Sequence, residues 1–190
     1  MAPKNIMIVG VGGQGTLLAS KLLGQVLLQQ GYDVKVSEVH GMSQRGGSVV
    51  TYVRFGEKVY SPVIDKAEAD LILSFEKLEA ARWLEFLKPG GRIIVNTQEV
   101  EPMLVIIGAA KYPEKLVEKM EKAGAKVDAR DFLGLAKRAG SAKAVNIALM
   151  GCLSTYYPDI PEEAWLQAME AVVPEKFLEL NKKAFALGRA

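Results

Sequence analysis

The chain has 190 residues, 49% of them hydrophobic, with 24 basic side chains against 22 acidic ones. That is enough apolar material for one well-packed domain over residues 1–190, and the near balance of charge argues against a nucleic-acid footprint. No apolar run reaches the ~18 residues of a membrane span, and the N-terminus enters a strand pattern with no secretory signal before it, so the expectation is a cytoplasmic protein without a membrane partner. One cysteine, Cys152, and one histidine, His40, are present. An intrachain disulfide, a cysteine-ligated iron–sulfur cluster, a structural zinc and a His-rich metal site are thereby excluded, and any electron carriers that serve this chain must sit on another one.

In chain order, residues 5–9 (Asn-Ile-Met-Ile-Val) form an apolar run that predicts a buried strand. The cluster Gly10-Val11-Gly12-Gly13-Gln14-Gly15 follows, and residues 14–30 repeat Leu17, Leu18, Leu22, Val26 and Leu27 at helical spacing, with Gly31 as the stop. Residues 34–39 alternate as a second strand and run into Ser37-Glu38-Val39-His40-Gly41-Met42-Ser43-Gln44-Arg45-Gly46-Gly47. Residues 48–55 are strongly β-prone, and Gly56-Glu57 with Lys58-Val59-Tyr60 predicts a hairpin, which makes part of the sheet antiparallel. Asp70–Ser74 reads as a strand, Glu76–Leu87 as a helix ended by Pro89-Gly90-Gly91, and Arg92–Asn96 as the next strand. Residues 102–107 are apolar and ambiguous in type, a short strand being one reading. Pro113 opens a charged helix to about Lys122, Lys126–Ala129 is a strand, and Asp131 is placed to cap what comes next. From Ser141 the pattern is helical, broken near Pro158, Pro161 and Pro174. The fold expected is α/β, a three-layer Rossmann-like mixed sheet with an antiparallel hairpin and a helical C-terminal region.

A strand, a glycine-rich turn and a helix start place free N–H groups where an anion can sit. The loops after the first two strands of such a sheet share one edge, so the two glycine loops fall together. Gly12, Gly13, Gln14 and Gly15 of the first, with Ser43, Gln44, Arg45 and Gly46 of the second, are the candidate binding residues. Arg45 carries the forked donor set that suits phosphate or carboxylate. Two plain readings stand beside this one, a tight turn with no ligand and a solvated hairpin entry. Glu38 lies where a dinucleotide fold keeps its ribose acid, but farther along than that role requires. His40 has no nucleophile partner implied by the sequence. Cys152 lies on an apolar helical face and reads as a buried thiol, and Trp83 and Trp165 read as core or interface anchors. Lys143 and Asn146, at a helix start, either face the glycine loops or serve as capping residues. No catalytic residue and no metal ligand is assigned.

Val9–Gly15 and Ser37–Val50, together with Phe55–Pro62, Leu87–Gly91 and Ala144–Asn146, resemble the gamma-type subunit or domain of the 2-oxoacid:ferredoxin oxidoreductases over almost the whole chain. Within that family the Ser-Glu-Val-His-Gly-Met-Ser-Gln-Arg-Gly-Gly stretch is similar to the small (beta) subunit of the indolepyruvate branch. The resemblance implies an accessory subunit of a complex that oxidatively decarboxylates an arylpyruvate, with coenzyme A as co-substrate and ferredoxin as electron acceptor. It further implies thiamine diphosphate and iron–sulfur clusters on a large (alpha) subunit, and makes the two glycine loops candidates for contact with coenzyme A or with that subunit. The alternative is a stand-alone nucleotide- or S-adenosylmethionine-dependent enzyme, to which Leu87–Val95 also has some likeness.

Overall fold

A computed structural model describes residues 3–38, 43 and 45–190. Its six-stranded sheet runs β2-β3-β1-β4-β5-β6 in space. The strands are β1 (Lys4–Val11), β2 (Asp33–Glu38), β3 (Ser48–Gly56), β4 (Ala69–Ser74), β5 (Leu87–Asn96) and β6 (Lys126–Arg130). β1, β4, β5 and β6 are parallel, whereas β3 pairs antiparallel with both β1 and β2. The α-helices among the described residues are α1 (Thr16–Gln29), α2 (Lys77–Arg82), α3 (Met103–Ile106), α4 (Leu116–Lys122), α5 (Phe132–Ala139), α6 (Val145–Ser154), α7 (Glu162–Val172) and α8 (Leu178–Arg189).

The unbroken apolar run of β1 follows from burial on both faces. Ile6 and Ile8 point into a core shared with α1 and α5 to α8, while Met7 and Val9 point into a second core under α2 and α4. This is the three-layer arrangement expected. α6 is buried at all its positions and runs between the sheet and α8. Asp131 caps α5, its Oδ1 accepting the Gly134 N–H at 2.8 Å. No helix among the described residues is long and apolar enough to cross a membrane.

Five local expectations are corrected. The antiparallel pair exists, but residues 57–60 form no strand; β3 pairs instead with β2, through a hairpin containing the second glycine loop, and inserts beside β1. Asp33 explains the lost return strand, since its carboxylate accepts the Val59 N–H at 2.9 Å and pins that segment outside the ladder. The helix expected over 76–87 ends at Arg82, with a 3₁₀ turn over Leu84–Phe86 and β5 starting at Leu87. Pro89-Gly90-Gly91 is not a terminator but a bulge inside β5, where pairing jumps from Ala69↔Leu87 to Leu71↔Arg92 and Gly90 takes φ 71°. Residues 103–106 are one helical turn and not a strand, and α4 starts at Leu116, three residues after Pro113.

Candidate functional site

The parallel direction of β1 and β2 brings both glycine loops to one sheet edge, and the inserted β3 joins them. Gly12 N–H donates to the Gly47 carbonyl at 2.8 Å, and Gly47 N–H donates to the Ser43 carbonyl at 2.9 Å. Gly13, Gly15 and Gly46 take φ of 98°, 92° and 90°, a region that disfavours any side chain. Gly15 is also the N-cap of α1, which therefore starts with no side-chain cap and no acidic residue in its first turn. The positive end of the helix dipole stays uncompensated there. A crevice of about 420 Å³ opens at this point, lined by Gly12, Gly13, Gly15, Thr16, Leu17, Arg45 and Val49 to Thr51 of β3. Arg45 is exposed and makes no hydrogen bond or ion pair with the described residues.

Of the residues singled out from sequence, Gly12, Gly13, Gly15 and Arg45 line the crevice. Ser43 and Gly46 shape the second loop behind it: a side chain at Gly47 would collide with the Ser43 backbone at 2.9 Å. Gln14 turns inward. Its Oε1 accepts the Val11 N–H at 2.7 Å and its Nε2 donates to the Phe75 carbonyl at 3.4 Å, so it braces the turn against β4. Gln44 and His40 lie outside the described residues. Of the two readings of Asn146, the one that faces the glycine loops holds: α6 has no side-chain cap, and the Asn146 Nδ2 donates to the Gly15 carbonyl at 3.3 Å, bracing the first loop. Glu38 accepts from Ser20 Oγ of α1 at 2.5 Å, which occupies that acid inside the fold.

Several polar residues that organise this edge were not singled out. Thr16 and Thr51 are 8% and 3% exposed and line the crevice with the glycines. Asn96, at the end of β5, donates to the Phe75 carbonyl at 3.2 Å and accepts the Leu133 N–H at 3.2 Å, tying β4, β5 and α5 together. Glu76 caps α2 by accepting the Glu79 N–H at 2.9 Å. Glu79 receives the Ser48 hydroxyl at the exit of the second loop and Arg82 Nε at 3.2 Å. Burial pushes its carboxyl above the usual range despite both partners. A polar residue ending an apolar strand, as in Ile93-Ile94-Val95-Asn96, was the available signal for Asn96.

Residues 5–190 match the family model described as pyruvate ferredoxin/flavodoxin oxidoreductase. The chain belongs to this family. Among curated relatives it is 46% identical to the indolepyruvate oxidoreductase subunit IorB of Thermococcus kodakarensis, with 99% of this chain and 95% of that one aligned. It is 36% identical to the IorB subunit of Archaeoglobus fulgidus, over 97% and 92% of the two chains. Among solved structures, the keto/oxoacid ferredoxin oxidoreductase gamma subunit of Geobacter sulfurreducens superposes with a TM-score of 0.72 at 24% identity, over 97% and 95% of the chains. The 2-oxoglutarate:ferredoxin oxidoreductase of Magnetococcus marinus gives 0.75 at 19% identity; all of this chain aligns to 31% of that longer one. These two likenesses establish the shared fold. The stand-alone cofactor enzyme is the less favoured reading: the family consists of ferredoxin-linked oxidoreductases, and the Leu87–Val95 stretch behind that reading is a bulged strand.

Gly13 gives a direct test of the turn. Its missing side chain would face open space, so Gly13→Val meets backbone strain alone, of ~1–3 kcal/mol. The expected result is a lowered Tm; a Tm equal to the parent's would show that the turn accepts a left-handed valine.

Proposed function

We infer that this chain is the small accessory subunit of a cytoplasmic complex that oxidatively decarboxylates an arylpyruvate, indolepyruvate in the first place, to an aryl-acetyl-CoA with reduction of ferredoxin. What carries the reading is the 46% identity, over nearly the full length of both chains, to a subunit named for indolepyruvate oxidation. The chain's own donor chemistry is consistent with an accessory role. Its one cysteine is fully buried, donates to Asp128 Oδ2 at 3.3 Å, and has a thiol pKa pushed up to about 12 by burial and by that carboxylate. Such a thiol does not fit an iron–sulfur ligand, so clusters and thiamine diphosphate are assigned to the large subunit.

The crevice fits an anionic group. The uncapped start of α1, the left-handed glycines and the exposed Arg45, unpaired among the described residues, together favour a phosphate of coenzyme A or a carboxylate of the large subunit. Arg45→Ala tests this in the assembled complex. The expected outcome is a loss of about tenfold, from one charge-assisted hydrogen bond, in either subunit affinity or apparent coenzyme A affinity, with kcat little changed. Unchanged assembly and unchanged Michaelis constants would remove Arg45 from the site. Co-purification of the tagged chain from anaerobically grown cells, with an assay for indolepyruvate- and coenzyme A-dependent acceptor reduction, tests the function itself. A monomer with bound nucleotide and no such activity would refute it.

A further inference from the structure

Residues 100–112 leave the sheet at the carboxyl end of β5 and form the single turn α3 before α4 begins. The turn is closed by its own backbone: Val105 N–H donates to the Pro102 carbonyl at 2.8 Å, Ile107 N–H to Met103 at 3.0 Å and Ala110 N–H to Leu104 at 2.9 Å. Its side chains face water. Met103 is 67% exposed, Leu104 60%, Ile106 63% and Ile107 63%, and no other four large apolar side chains among the described residues are exposed within five positions. One turn of helix gains little on its own, and a surface loop is ordinarily polar, so nothing inside this chain accounts for the composition.

Both feet of the excursion stand on one buried oxygen. Val100 N–H donates to Glu76 Oε1 at 3.2 Å, and the Tyr112 hydroxyl donates to the same atom. Glu76 is 1% exposed, and its other oxygen caps α2. The apolar turn is thus held in one orientation before anything binds it, which lowers the ordering cost of association.

The geometry points to a docking knob: Met103, Leu104, Ile106 and Ile107 insert into an apolar hollow on the larger subunit of the complex, an assignment that rests on the assembly proposed above. Area selects this occupant over a second copy. At these exposures the four side chains offer roughly 450 Å², so patch against patch buries about 900 Å², short of the ~1,200 Å² where stable interfaces begin. A larger partner gains the remainder by continuing along the same sheet edge to the glycine crevice. The two surfaces are joined through Glu76: the helix it caps carries Glu79, which holds Ser48 at the exit of the second loop, and the neighbouring Phe75 carbonyl accepts from Gln14 of the first.

The test is a Leu104→Asp/Ile107→Asp double variant, titrated against the larger subunit isolated with the wild-type chain. Tyr60→Asp/Val63→Asp is the control, since those side chains are 90% and 52% exposed at the opposite sheet edge. The expected result is a loss of at least about tenfold in affinity for the double variant, as for central apolar anchors of an interface, with an unchanged Tm of the free chain and no loss for the control. In wild type, backbone amides over residues 103–110 gain hydrogen-exchange protection on assembly. Equal affinity of double variant and wild type overturns the proposal. So does a wild-type free chain that is a dimer and becomes monomeric in the double variant, because a second copy then covers the patch. Failure of the wild-type chain to bind the larger subunit overturns the assembly reading too, and is seen before any variant is made.

Discussion

Gly188→Ala is expected to lower Tm by ~6–12 °C, the equivalent of about 3 kcal/mol for a domain of this size. α6 and α8 cross with glycines on both sides of the contact. A methyl group on Gly188 would land on the Ala148 carbonyl oxygen, and one on Gly151 would land on the Phe185 carbonyl oxygen. Backbone cannot swing aside as a side-chain tip can. α6 has no free direction either, being buried along its whole length. The natural control is Gly24→Ala in α1, where nothing lies within 4 Å of the added carbon; there a neutral or stabilising change of up to ~1 kcal/mol is expected from helix propensity. Thermal unfolding followed by circular dichroism decides, and equal losses in both variants would show that the crossing is not the cause.

Asp128→Asn is expected to cost ~2–3 kcal/mol at neutral pH, because it removes the charge from a set of charge-assisted bonds. Asp128 on β6 accepts from Arg130 Nε at 2.8 Å and from its second nitrogen at 2.9 Å, from the Tyr156 hydroxyl at 2.8 Å, and from Cys152. Arg92 stacks 4.2 Å over the Tyr156 ring. Burial alone would raise this carboxyl, but Arg130 and Tyr156 outweigh burial and hold it below its ordinary 3.8. The folded state therefore gives up the Asp128 proton more readily than the unfolded chain does. Its contribution is whole above that ordinary value and disappears as pH falls through the lower folded one. The Tm difference between wild type and Asp128→Asn is expected to be constant from about pH 7 to pH 5 and to shrink below about pH 4. A difference that persists undiminished in acid would mean that packing, not charge, sets the loss.

The elements legible in sequence were those whose signal is local. The run of β1, the periodicity of α1, the Asp131 cap and the proline breaks of the C-terminal region all stand close to where they were expected. What the sequence concealed depends on partners distant along the chain. Val59 leaves the sheet because Asp33 holds it, and Gln14 turns away from the crevice because the Phe75 carbonyl and the Val11 N–H are there to receive it. Pro89-Gly90-Gly91 has the composition of a stop, yet parallel pairing with β4 at Leu87 and again from Arg92 carries the strand through it. The glycines and Arg45 were readable because their chemistry is their own; Thr51 and Asn96 were not, because only the sheet brings them to that edge.

The contact between Asn146 and Gly15 spans 131 residues of chain. It sets a schedule for biosynthesis. A nascent chain that has emerged through β5 already carries both glycine loops, but the Asn146 that braces the first of them is still unmade or inside the ribosome. The braced form of the first glycine loop is consequently reserved for chains that have been synthesised at least through α6, and truncated translation products lack it.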